Sequence, residues 1–219
     1  YRRQRQMCIR DRIYPDQFIP VLEKNGYVID VDNFIWNKVC ACIKMMEDKG
    51  IEPVPISVNV SRMHVYQEKF TENLKNMAGE YGIDPKYIPL EITESAFTKE
   101  EGSLFKKVQS LQGYGFKFSM DDFGSGYSSL GMLKSERVDE VKIDKTFVDD
   151  IATDKGKVLL GNVIRMINEL GIDMIAEGVE TKEQADFLKE NGCMYAQGYY
   201  YYKPMPIEEF AKLLENSAR

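Results

Sequence analysis

Short apolar runs separated by longer segments of helical period limit the folds open to this chain more than any other feature. The runs are "PISVNV" (55–60), "IPLEI" (88–92), "FKFSMD" (116–121), "DEVKID" (139–144), "DMIAEG" (173–178) and "MYAQGY" (194–199). Between 32 and 49, "DNFIWNKVCACIKMMEDK" places apolar residues at three- and four-residue steps and stops at Gly50. Residues 155–170 do the same and stop at Gly171, so both glycines read as C-terminal helix caps. "TKEE" (98–101) and "TKEQ" (181–184) match the capping box that opens a helix, and Pro206 fits a first turn before "IEEFAKLLE". Strand–helix alternation at this spacing implies a parallel sheet, because each crossover carries a helix. The number of repeats in 219 residues favours an α/β barrel of the TIM, (β/α)8, type over an open doubly wound sheet, and no GxGxxG or P-loop sequence supports the latter. With no linker, repeat or low-complexity tract, one domain is expected over 13–219. The first stretch, "YRRQRQMCIRDR" (1–12), is arginine-rich and has neither period; it reads as a non-native tail that resembles translated sequencing adapter.

Composition excludes several function classes. A net charge of −6 argues against a nucleic-acid polymer as partner. No apolar run approaches the ~18 residues of a membrane span, and no apolar segment follows the basic N-terminus as a secretory signal would require, so a cytoplasmic location is expected. Cys8, Cys40, Cys42 and Cys193 form no CxxC pair; Cys40 and Cys42, two apart on a helix, face different ways, and buried reduced thiols are expected. His64 is the only histidine, which argues against a histidine-rich metal centre or a Ser/His/Asp triad.

What the apolar runs do not need is the way they end. Asn59, Glu91, Asp121, Asp122, Lys142, Glu177 and Gln197 each lie at or near the C-terminal end of a run, where a barrel gathers its chemistry. Singly each has a plain explanation: Asn59 capping a turn, Glu91 solvated at a strand edge, Lys142 paired with Asp144, Glu177 capping a loop. Together they would bring four acidic residues to one mouth, which is costly without compensation. Hard divalent cations supply that compensation, and Asp, Glu and Asn oxygens select Mg²⁺ or Mn²⁺. Adjacent Asp121 and Asp122 suit two ions ~3.5–4 Å apart, the arrangement used for phosphoester cleavage. Lys142 would orient water or neutralise a developing oxyanion. "FGSGYSS" (123–129) offers a pliable lid, which Glu94 would fasten. The tyrosines of "YYYY" (199–202) would offer stacking faces, or, at strand period, send half their rings to the core.

In order and spacing, "SVNVS", "EITES", "DDFGSGYSSL", "VKIDKTFV", "AEGVET" and "QGYYYYKPMP" resemble the motifs of the EAL domain, the bacterial cyclic di-GMP (c-di-GMP) phosphodiesterase family, over residues 13–219. The resemblance implies a modified TIM barrel that hydrolyses c-di-GMP to linear pGpG with two Mg²⁺ or Mn²⁺ ions. It implies that Asn59, Glu91 and Asp121 hold one ion, and that Asp121 bridges to a second held by Asp122 and Glu177. Glu177 is also implied as general base, Lys142 as the group that positions water, and Gln197 as its support. Glu94 and the loop through Gly126 would couple the site to a homodimer. One departure matters most: no Glu-Ala-Leu occurs in the chain, and residues 1–12 stand where that strand would precede "YPDQFIP" (14–20). The first strand, its metal glutamate and a nearby substrate-contacting arginine are therefore expected to be missing, with impaired turnover and poor solubility as consequences. Arg137 in place of a usual proline, and Tyr202 before "KP", are smaller departures. The alternatives are an inactive EAL domain that binds c-di-GMP or a protein partner, and a barrel lyase with Lys142 as base.

Overall fold

The computed structural model describes residues 15–93, 101–124, 133 and 138–217. Residues 1–12, the capping sequence at 98–101 (but for its last residue), Glu94, Gly126, Arg137 and most of the lid sequence lie outside them. Two helices come first, α1 (Pro15–Asn25) and α2 (Val28–Asp48). Then follow β1 (Val58–Asn59), α3 (Arg62–Val65), α4 (Phe70–Tyr81), β2 (Leu90–Thr93), α5 (Glu101–Gln112), β3 (Phe118–Phe123) and β4 (Glu140–Ile143). The chain continues through α6 (Lys145–Asp149), α7 (Asp154–Glu169), β5 (Asp173–Ala176), α8 (Lys182–Glu190), β6 (Tyr195–Ala196) and α9 (Ile207–Ser217).

Every apolar run of the sequence contributes a strand, and the six described strands form one sheet in sequential order, β1 to β6, all pairs parallel. The sequence explains why. Gly50 and Gly171 close α2 and α7 in left-handed conformation (φ 70 and 68). Thr181 and Gln184 form both halves of a capping box at α8. α2 starts four residues earlier than the periodicity from 32 suggests, because Val28 joins the same buried stripe as Asp32, Trp36, Cys40 and Ile43.

Within each strand the alternation separates two chemistries. Leu90 and Ile92, Phe118 and Met120, Val141 and Ile143, Met174 and Ala176 pack into one core with Leu74 of α4, Leu104, Val108 and Leu111 of α5, Leu160, Ile164 and Ile167 of α7, and Leu188 of α8. Glu91, Ser119, Asp121, Glu140 and Lys142 occupy the intervening positions and share the other face, since successive side chains of a strand point to opposite sides. The face of the sheet turned away from these helices therefore carries most of its polar side chains. Cys40 sits in this core, whereas Cys42 lines a separate cavity; both are free and buried, as is Cys193. Among the described residues no helix is long and apolar enough to cross a membrane.

Candidate active site

Lys142 is the centre of the polar face. β4 carries its ammonium into the interior, where Nζ lies 2.8 Å from Glu91 Oε1, 2.5 Å from Glu177 Oε1 and 3.7 Å from Asp121 Oδ1. β2, β3 and the residue just past the end of β5 therefore each present a carboxylate to a cation on β4. Lys142 does not pair with Asp144, the plain explanation open to the sequence; Asp144 caps α6 instead, accepting from Thr146 N–H at 2.9 Å. Burial disfavours the charge of Lys142, but the pull of Glu91, Asp121 and Glu177 wins, and its pKa is raised. The same three carboxylates favour the charged form, which weighs against Lys142 as the base that a lyase would need.

Glu177 lies one residue beyond β5, fixed by its own N–H donating to Ile143 O at 3.0 Å. Gln197 lies one residue beyond β6, with its N–H on Ala176 O at 2.8 Å and its side-chain Nε2 donating to Glu177 Oε1 at 2.6 Å. Burial, only partly countered by Lys142, raises the pKa of Glu177. Gly178 makes this corner possible: its φ is 67, and an added Cβ would stand 2.4 Å from Lys145 Cγ.

The adjacent aspartates are managed by backbone irregularity. Register between β3 and β4 shifts between Met120 and Phe123, so Asp121 and Asp122 together face the span of one β4 residue, as in a β-bulge. Asp122 adopts φ 57, the only described non-glycine residue with positive φ. Asp122 has a raised pKa, first from burial and then from the negative charges of Asp121 and Asp144. Asp121 Oδ1 is buried without a hydrogen bond. Asn59 pairs in register with Glu91 and so shares its face, but its side chain is exposed.

The structure thus brings Glu91, Asp121, Lys142, Glu177 and Gln197 into contact, and sets Asp122 and Asn59 beside them. Among the described residues no three acidic, histidine or cysteine side chains stand as a ready ligand shell for one ion, because the Lys142 ammonium lies between them. The donor set nevertheless fits hard cations, being carboxylate and amide oxygen only, and the buried Asp121 Oδ1 makes no hydrogen bond, the Lys142 ammonium standing 3.7 Å away, so it can still accept a cation. The tyrosine expectation needs correction at one point. Strand period ends at Ala196, so Tyr199–Tyr202 form a turn in which all four rings are exposed and none reaches the core. Tyr199 and Tyr202 line a cavity of about 930 Å³ that also touches Glu177 and Gln197.

The family model of the EAL domain matches residues 9–204. The chain belongs to the EAL domain family. This EAL domain is 34% identical over 201 residues to the signaling protein YkoW of Bacillus subtilis (strain 168), covering 91% of this chain and 25% of that protein. It is 33% identical over 203 residues to a protein named "Probable cyclic di-GMP phosphodiesterase PdeG" of Escherichia coli (strain K12), covering 92% and 40%. A solved structure of the PaMucR phosphodiesterase in complex with c-di-GMP superposes with a TM-score of 0.85 at 31% identity, over 90% of this chain and 81% of the other. The α/β, TIM-barrel-like fold follows from these neighbours and from the sequential parallel sheet. The chain spans a quarter to two fifths of the length of these curated relatives.

Proposed function

We propose that this EAL domain hydrolyses c-di-GMP to linear pGpG, with Mg²⁺ or Mn²⁺ held by Asn59, Glu91, Asp121, Asp122 and Glu177. The observation that carries the reading is the meeting of Glu91, Asp121 and Glu177, from β2, β3 and just past the end of β5, around Lys142. Ions bound there would supply positive charge for the phosphate oxygens and ease loss of a proton from attacking water. The rest belongs to the chain. Gln197 holds Glu177 Oε1 in orientation. Glu177, with its pKa raised by burial, accepts the proton that water gives up as its oxygen joins phosphorus; one P–O ester bond breaks, and the departing sugar oxygen takes up a proton from solvent. Lys142 stays protonated, orients that water and offsets charge gathering on the phosphate. Glu94 and the loop through Gly126 couple the site to a homodimer. Incubation of the chain with c-di-GMP and Mg²⁺ or Mn²⁺ should release pGpG, and EDTA or Asp121→Asn should abolish the release. Metal-independent product, or full activity of the aspartate variant, would refute the assignment.

A reading in which the domain binds c-di-GMP without cleaving it draws support from the Lys142 ammonium, which already neutralises the carboxylates where ions would sit. The absence of Glu-Ala-Leu from the sequence points the same way, toward weak turnover. Adding a Glu-Ala-Leu strand ahead of residue 13 separates the two: turnover that rises at unchanged c-di-GMP affinity supports an impaired enzyme, whereas binding that stays unproductive supports a receptor.

A further inference from the structure

Asn59 is the least secured of the candidate ligands by its own strand. β1 contains only two residues, pairs with β2 alone and ends the described sheet. A side chain there would ordinarily wander, yet the backbone immediately after its Cα is tied to α2 at two points. Trp36 Nε1 donates to the Asn59 carbonyl at 3.0 Å. One turn earlier on α2, Asp32 Oδ2 accepts the N–H of Ser61 at 3.2 Å. His64 Nε2 stands 3.4 Å from that same oxygen, and its ring lies 4.4 Å from the Trp36 ring centroid. All three residues are at most 7% exposed.

The direction of these bonds matters. Val58 N–H and Val60 N–H donate to the carbonyls of Pro89, just before β2, and of Glu91 in it, so the peptide groups of Asn59 point the other way, to the outer edge. The indole satisfies the one carbonyl that β2 cannot reach. We infer that Trp36, backed by Asp32 and His64, is a positioning residue that aims Asn59 at the cation site. This rests on the proposal that Asn59 is a ligand. Ligand-orienting groups of this kind typically change metal affinity ~10–100-fold when removed.

Trp36 is the only tryptophan, so the unmodified protein reports on itself. Mg²⁺ should shift Trp36 fluorescence with the midpoint that titration calorimetry gives for binding, and the shift should vanish in Asn59→Ala. Trp36→Phe keeps the ring but loses the N–H; together with Asn59→Ala it makes a double-mutant cycle read by calorimetric Mg²⁺ affinity. Each single variant should bind about tenfold more weakly, and the double variant no more weakly than Asn59→Ala alone, because the indole acts through Asn59. Affinity unchanged in Trp36→Phe, multiplicative losses in the double variant, or emission indifferent to bound Mg²⁺ would each overturn the inference while leaving the proposed function standing. Wild-type protein with no Mg²⁺ affinity would overturn the two-ion reading itself, and this inference with it.

Discussion

Lys142 shows how one side chain can do two jobs in one place. Its ammonium compensates three carboxylates that would otherwise repel one another within the polar interior. Lys142→Met should therefore destabilise the metal-free protein by about 3–5 kcal/mol, the usual cost of orphaning buried charge, and Mg²⁺ should recover part of that loss in thermal melts. A melting temperature insensitive to both would mean that the carboxylates are not electrostatically coupled. His64 gives a second test. Burial lowers its pKa from the ordinary 6.5 to about 4. Between those values the unfolded chain takes up a proton that the folded chain refuses, so stability falls as pH drops from 6.5 to 4 and is unaffected by this group above 6.5. The effect is roughly 3 kcal/mol at most. Asp32, whose pKa burial raises, works with the opposite sign at the acid end of the range. As the only histidine, His64 gives a single imidazole resonance, and NMR titration should place its midpoint near 4. A midpoint near 6.5 would show that the ring is solvated.

Elements place these residues through their ends. Adjacent carboxylates in a regular strand would face opposite ways; the register shift in β3 keeps Asp121 and Asp122 together. At the end of β5, Gly178 combines positive φ with the close approach of Lys145, which itself pairs with Asp149 and Glu180, each at 3.0 Å. Gly178→Ala should cost about 1–3 kcal/mol and lower turnover as well, since Glu177 is its neighbour. Thr181→Ala, three residues further on, removes the α8 cap and should cost about 1 kcal/mol with turnover intact. Denaturant melts and assays of the two variants together distinguish strain at the site from loss of a helix cap. The sequence made the α8 cap legible, because a capping box is local. It could not show the bulge, because a register shift is a relation between two strands.

For the whole molecule, the decisive feature is the seam. Among the described residues β1 and β6 are the outer strands, and the cavity of about 930 Å³ runs beside them, lined by Ile56, Cys42, Met205, Ile207 and Phe210 as well as Glu177 and Gln197. Among the described residues no strand pairs with the outer edge of β1 or of β6, and unpaired edges beside apolar surface favour association. Light scattering of the 219-residue chain should show higher-order species growing with concentration, and a version extended by an apolar strand should be monodisperse and melt at higher temperature. Equal behaviour of the two would mean that the seam needs no filling. The sequence by itself determined the alternating α/β order, the parallel sheet and the residues at the strand ends, because period, caps and turn residues act over a few positions. Only the tertiary structure decided which of those ends converge. It set Lys142 against Glu91, Asp121 and Glu177 rather than Asp144, turned the four tyrosines outward, and bound Trp36 to Asn59 across 23 positions. Those outcomes depend on sheet curvature and on helix packing against it, and both arise from contacts between segments far apart in the chain.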